Sequence, residues 1–218
     1  MSLDPNGGNV LPDNLENIVS PGQKDRFKQQ IEFILEVDKL KNVLRKTILM
    51  DRSRRENSAE HLWHIALTVL ILSEYAKDSD VDLFRVLKIL LVHDLIEIDA
   101  GDTYCYDDQG RKDQARREKK AADRIFNLLP ADQARSLREL WDEFEERKTP
   151  ESKFANALDR LQPFLHNYCT EGQIWQENNI KSAQVKSRMH PVDDGSPVLW
   201  NYVRFLIDDG VKKGFLGE

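Results

Sequence analysis

The run Leu90-Leu91-Val92-His93-Asp94-Leu95-Ile96-Glu97 sets an imidazole and a carboxylate at the end of an apolar stretch. Burying such groups is costly unless each finds a strong partner. A divalent cation is such a partner, because it takes a neutral imidazole and a carboxylate together. A His-Asp pair also arises by chance at the wet end of a helix, but the apolar residues Leu95, Ile96 and Ile98 continue past this one. Two other segments supply the same ligand types. His61 stands in the first turn of a second apolar segment, after Arg54-Arg55-Glu56-Asn57-Ser58-Ala59-Glu60, with His64 three residues on and roughly on the same side. Asp159 ends Phe154-Ala155-Asn156-Ala157-Leu158 on a mostly apolar helical face. Taken singly, His61 reads better as a capping or surface histidine, and Asp159 as a carboxylate paired with Arg160 or Lys153.

The elements that must position these residues read as helix after helix. Apolar residues recur at helical spacing from Gln23 to Met50, so one helix is expected there, ending near Arg45 and Lys46. A second is expected from Asn57 or Ser58, both good N-caps, to Lys77, buried through its apolar middle from Ile65 to Leu72. A third is expected from Val81 to Ile98, followed by an acidic loop from Asp99 to Gly110. Charged helices are expected at Arg111–Leu129 and Asp132–Arg147, and another from Thr149-Pro150-Glu151, kinked at Pro163. The stretch Ile174–Glu218 is expected to hold two helices around a loop at His190–Pro197. No stretch reads as a run of strands, so the fold class is all-α.

The chain of 218 residues is 40% apolar and 32% charged, a globular composition long enough for one domain over residues 21–218 behind a flexible tail of residues 1–20. A net charge of −6 with interspersed signs argues against a binder of nucleic-acid polymers. Cys105 and Cys169 form no CxxC pattern and no disulfide framework. With no signal-peptide pattern and no apolar run of membrane-spanning length, the expected location is the cytoplasm, with no membrane partner.

Together, the order and spacing of His61, His93-Asp94 and Asp159 resemble the HD-domain metal-dependent phosphohydrolases. Within that superfamily, Arg55-Glu56-Asn57-Ser58-Ala59-Glu60-His61, His93-Asp94-Leu95-Ile96-Glu97-Ile98-Asp99-Ala100-Gly101-Asp102 and Glu151 to Asp159 are similar to the bacterial 5′-deoxynucleotidase group and its eukaryotic relatives. The likeness covers roughly residues 25–170. It implies a helical bundle with a metal site between its central helices. His61, His93, Asp94 and Asp159 would hold a divalent ion, such as cobalt, manganese or another first-row metal. Glu97 would orient or deprotonate the attacking water, and Asp102 would contact the substrate sugar and assist the leaving group. Arg45, with Lys46 beside it, is the first candidate for phosphate contact, while Arg54 and Arg55 read equally as structural anchors. The substrate implied is a nucleoside 5′-monophosphate, and the assembly implied is a homodimer, for which the charged helix Arg111–Arg124 is a candidate surface. Alternatives are another phosphorylated metabolite, an alarmone, or a regulatory module without turnover. One position departs from the resemblance: the deoxynucleotidases carry a tryptophan after the arginine, where this chain has Lys46 and Thr47. Sugar selectivity is left open by that change. His166, His190 and the four tryptophans match no motif and read as packing or turn residues.

Overall fold

The computed structural model describes residues 19–218, so most of the expected tail lies outside the described residues. The all-α expectation holds, with one small addition. Helix α1 (Lys24–Val37) is followed by a 3-10 turn at Asp38–Asn42 and then by strand β1 (Leu44–Ile48). The single helix expected over Gln23–Met50 is therefore wrong at its second half. Val43 turns the chain into extended geometry (φ −82°, ψ 107°), and β1 pairs antiparallel with β2 (Arg55–Asn57). Arg45 and Lys46 thus lie on a strand, where successive side chains take opposite faces. The pairing is irregular. Leu44 faces Asn57 and Ile48 faces Arg55, so four steps along β1 answer two along β2. The bulge falls on Arg45, Lys46 and Thr47.

Helix α2 (Ser58–Leu72) starts where the cap residues place it. The Asn57 side chain accepts from the Glu60 N–H at 3.0 Å, and the Glu60 carboxylate accepts from the Asn57 N–H at 3.2 Å. This reciprocal box satisfies two of the free donors of the first turn. The helix ends at Leu72, short of the expected Lys77. Nor is its apolar middle buried all round. Ile65 and Val69 are fully covered, whereas Leu70 and Ile71 are 62% and 61% exposed, and Trp63 and Leu67 join them on the outer face. The apolar run reads as central, but neighbours cover only one side of it.

Helix α3 (Leu83–Val92) is capped by Asp82, which accepts from the N–H groups of Phe84 and Arg85. It stops at Val92, and the short helix α4 (Glu97–Ala100) follows after one turn, so the expected helix to Ile98 is broken at the His-Asp pair. Helices α5 (Gln114–Phe126) and α6 (Ala131–Glu146) match the charged segments. Helix α7 (Pro150–Cys169) is capped by Thr149 and runs uninterrupted through Pro163. Proline lacks an N–H, so the carbonyl of Asp159, one turn earlier, has no helical donor from that position. Helices α8 (Gln173–Glu177), α9 (Ser182–Met189), α10 (Val192–Gly195) and α11 (Pro197–Lys212) complete the chain. The tail thus has four helices where two were expected, the additional ones being single short turns.

Helix α7 is the axis of the packing and touches α2, α3, α6, α10 and α11. Gly195 allows the α10 contact, because a methyl there would overlap the Lys153 carbonyl. A continuous apolar cluster joins Ile65 and Val69 of α2, Val86 and Leu90 of α3, Ile125 and Phe126 of α5, and Phe154 and Leu158 of α7. Each such side chain contributes roughly 1.5–3 kcal/mol by leaving water. This core holds α2, α3 and α7 rigidly beside one another. No helix among the described residues is long and apolar enough to cross a membrane.

Candidate metal centre

His61 of α2, the His93-Asp94 turn after α3, and Asp159 of α7 meet at one point. His61 Nε2 lies 3.1 Å from Asp159 Oδ1 and 3.7 Å from Asp94 Oδ2. His93 Nε2 lies 3.0 Å from Asp94 Oδ1 and 3.4 Å from Asp159 Oδ1. Both imidazoles are buried, so neither is the solvated helix-end residue that each could be in isolation. Asp159 does not pair with Arg160 or Lys153; its partners are the two histidines.

The far side of each ring fixes its orientation. His93 Nδ1 donates to the Leu90 carbonyl at 2.8 Å. His61 Nδ1 donates to the Gln162 side-chain oxygen at 3.0 Å. Both Nε2 lone pairs then point at the carboxylates, the outer-shell pattern of metal-binding histidines. His93 Nε2 is buried and has no hydrogen-bond partner. Two imidazole nitrogens and two carboxylates, with an orphaned lone pair among them, fit a divalent ion.

Arg45 reaches this cluster from the β1 bulge. Its Nη1 is 3.0 Å from Asp94 Oδ2 and 4.0 Å from both Glu97 Oε1 and Asp102 Oδ1, and its Nε is 3.7 Å from Glu56 Oε2. Burial alone would lower the Arg45 pKa, but these carboxylates outweigh it and hold the guanidinium charged. Lys46 is brought to the cavity rim with an exposed side chain. Its main-chain N–H, rather than its ammonium, reaches Asp102.

Glu97 sits at the start of α4, buried, and accepts from the Ser58 hydroxyl at 2.6 Å. Burial and then the negative Asp94 raise its carboxyl well above the usual range. Burial also raises Asp102. For Asp159, burial alone would raise the pKa, but its hydrogen bond to His61 and the nearby His93 ring hold it well below the usual range.

The cluster floors a cavity of about 370 Å³. The loop after α4 forms one wall through Tyr104, Cys105 and Tyr106. Arg117 of α5 fastens that loop, donating to the Ala100 carbonyl and, at 3.0 Å, to the Thr103 hydroxyl and the Gly110 carbonyl. Sequence reasoning missed Gln162 and Ser58 as partners of the site. The only signal was a polar residue inside an apolar helical run, as at Gln162 between Leu161 and Pro163. Arg54 proves to be a structural anchor, pairing with Glu60 at the start of α2. His64 turns away from the metal cluster toward Gln162 and His166. Trp63 is exposed, while Trp141 and Trp175 line the cavity.

The HD-domain family model matches residues 37–200, so the chain belongs to that family. Among individual relatives, the 5′-deoxynucleotidase HDDC2 of Homo sapiens is 31% identical over 136 residues, 62% of this chain and 65% of the human protein. The chain therefore spans slightly less than two thirds of that protein. The 5′-deoxynucleotidase hdd1 of Schizosaccharomyces pombe is 31% identical over 64% of this chain and 72% of its own length. A crystal structure described as a predicted metal-dependent phosphohydrolase from Magnetospirillum magnetotacticum is 47% identical, with a TM-score of 0.87 over 92% of this chain and 100% of that one. A protein from Pyrococcus furiosus, 22% identical with a TM-score of 0.57, shares the fold.

Proposed function

We propose that the chain is a metal-dependent phosphohydrolase that releases phosphate from nucleoside 5′-monophosphates. The observation that carries this reading is the orphaned His93 Nε2, set among His61, Asp94 and Asp159 at the floor of an open cavity. His61, His93, Asp94 and Asp159 hold the ion, for which cobalt and manganese suit the mixed donor set. A bound ion would supply Lewis acidity toward a phosphoryl oxygen and the attacking water. Glu97 takes the proton from that water. Its raised affinity for protons, caused by burial, brings it closer to neutral operating pH. Ser58 holds the other face of the Glu97 carboxylate in place. Arg45 orients the phosphate while balancing the surrounding carboxylates, and Asp102, steadied by the Lys46 N–H, faces the sugar. The names of the relatives support the same chemistry.

The working unit in this reading is a cytoplasmic homodimer. The exposed Trp63, Leu67, Leu70 and Ile71 on α2 support pairing better than the charged helix α5 does. Sedimentation at micromolar concentration reads the assembly, and a monomer there removes that part of the reading. The activity is tested by phosphate release from a panel of ribo- and deoxynucleoside monophosphates, using chelated protein reloaded with manganese or cobalt. Metal-dependent release from 5′-monophosphates is expected. Absence of release with metal demonstrably bound would overturn the assignment.

A further inference from the structure

The arginines that line the cavity differ in how fully their charge is answered. At the metal end, Arg45 is surrounded by the carboxylates of Glu56, Asp94, Glu97 and Asp102, so its charge is already answered. Arg160 of α7 and Arg188 of α9 also line the cavity, and neither has an ion-pair partner among the described residues. Arg160 is only 5% exposed. One of its Nη atoms donates to the Arg188 main-chain carbonyl at 3.1 Å, and its Nε is buried with no hydrogen-bond partner. Arg188 lines the cavity together with Cys105 and Tyr106 of the loop wall and pairs with none of the metal-end carboxylates.

An unpaired buried guanidinium is costly, and a second guanidinium beside it adds repulsion. Helices from separate parts of the chain nonetheless deliver both to one place. A guanidinium fork matches a phosphate oxygen pair, and hydrogen bonds to such an anion are among the stronger ones a protein makes. A nucleoside monophosphate has one anionic group, which the metal end takes. Nothing in it would answer Arg160 and Arg188.

We infer that Arg160 and Arg188 form a subsite for a second anionic group of the substrate, so that the preferred substrates are phosphomonoesters bearing a second phosphate. The inference rests on the phosphohydrolase reading for the end at which the ester is cleaved. A second phosphate held on the loop wall would also fix the ester relative to Glu97, without help from a tryptophan after Arg45.

The test compares kcat/KM for adenosine 5′-monophosphate with that for adenosine 2′,5′- and 3′,5′-bisphosphate, using manganese-loaded full chain. At least one bisphosphate should exceed its parent by about ten- to hundredfold, the value of hydrogen bonds to a charged group. Arg188→Gln, at a half-buried position that tolerates change better than Arg160, should abolish that preference, and Arg188→Lys should restore part of it. Equal kcat/KM for all three compounds overturns the subsite and leaves the phosphohydrolase reading standing. So does a preference that Arg188→Gln leaves intact. If no compound is hydrolysed, the ribo- and deoxynucleoside monophosphate panel decides the phosphohydrolase reading. Calorimetric binding of the bisphosphates to the same protein then decides the subsite: weaker binding in Arg188→Gln keeps it, and equal binding overturns it.

Discussion

Two clusters of histidine and carboxylate lie close together along α2. One joins His61, His93 and Asp94; the other joins Glu56, His64 and His166. Both bring three potential ligand atoms within reach of one ion. They differ in what occupies the middle. In the first, Arg45 donates to Asp94 from the edge, but His93 Nε2 is left without a partner. In the second, the Gln162 side-chain nitrogen lies 2.6 Å from Glu56, 3.0 Å from His166 and 3.2 Å from His64. An amide already fills the place an ion would take. Ligand type and spacing alone do not make a metal site; a buried lone pair without a proton donor does. The second cluster serves the first, because the same Gln162 presents its oxygen to His61 Nδ1. Its amide cannot turn over without setting its nitrogen against that ring.

The sharpest way to break this comparison is to remove a ligand from the open cluster. Asp94→Ala should lose both the bound ion and all measurable phosphate release, read by metal analysis after dialysis; retained metal would mean that the four-ligand set is misassigned. Glu97→Ala should keep the ion and the fold while turnover falls by about 10²–10⁴-fold, the usual contribution of a general base. Full activity in that variant would refute the proton-transfer role but leave the site itself in place. Gln162→Leu probes the link between the clusters. Losing an outer-shell partner of a metal-ligating histidine should weaken metal affinity by about ten- to hundredfold in a chelator competition. Unchanged affinity would show that the closed cluster is mere packing. The smallest effect belongs to His166→Ala. His166 Nδ1 bonds the Ile48 carbonyl of β1, so its loss should lower stability by about 1–3 kcal/mol in urea unfolding and leave metal affinity nearly unchanged.

The open cluster was legible through the resemblance; read residue by residue, only His93-Asp94 pointed to it, by interrupting an apolar run where a polar group needs a reason to be buried. The same logic placed the starts of α2 and α7, whose caps are local signals in Asn57 and Thr149. The closed cluster was not legible. Its members come from β2, α2 and α7, and only the packing of α7 against α2 brings Gln162 and His166 to His64 and Glu56. The hairpin was hidden for a related reason. Leu40, Val43 and Leu44 keep helical spacing after α1, and it takes the pairing of β1 with β2 to override that pattern. Arg160 was read as a partner for Asp159 because the two adjoin in sequence, but neighbours along a helix point in different directions.

The bulge in β1 has a consequence for anyone who wishes to make this protein more robust. Deleting a residue between Arg45 and Thr47 would bring the two strands closer to regular pairing, a change that thermostability screens tend to reward. It would also turn every following side chain to the opposite face and pull Arg45 away from Asp94 and Asp102. The irregular stretch is where the fold gives up local order for the aim of one guanidinium. Hardening the hairpin would produce a sturdier chain with its candidate metal centre unbalanced.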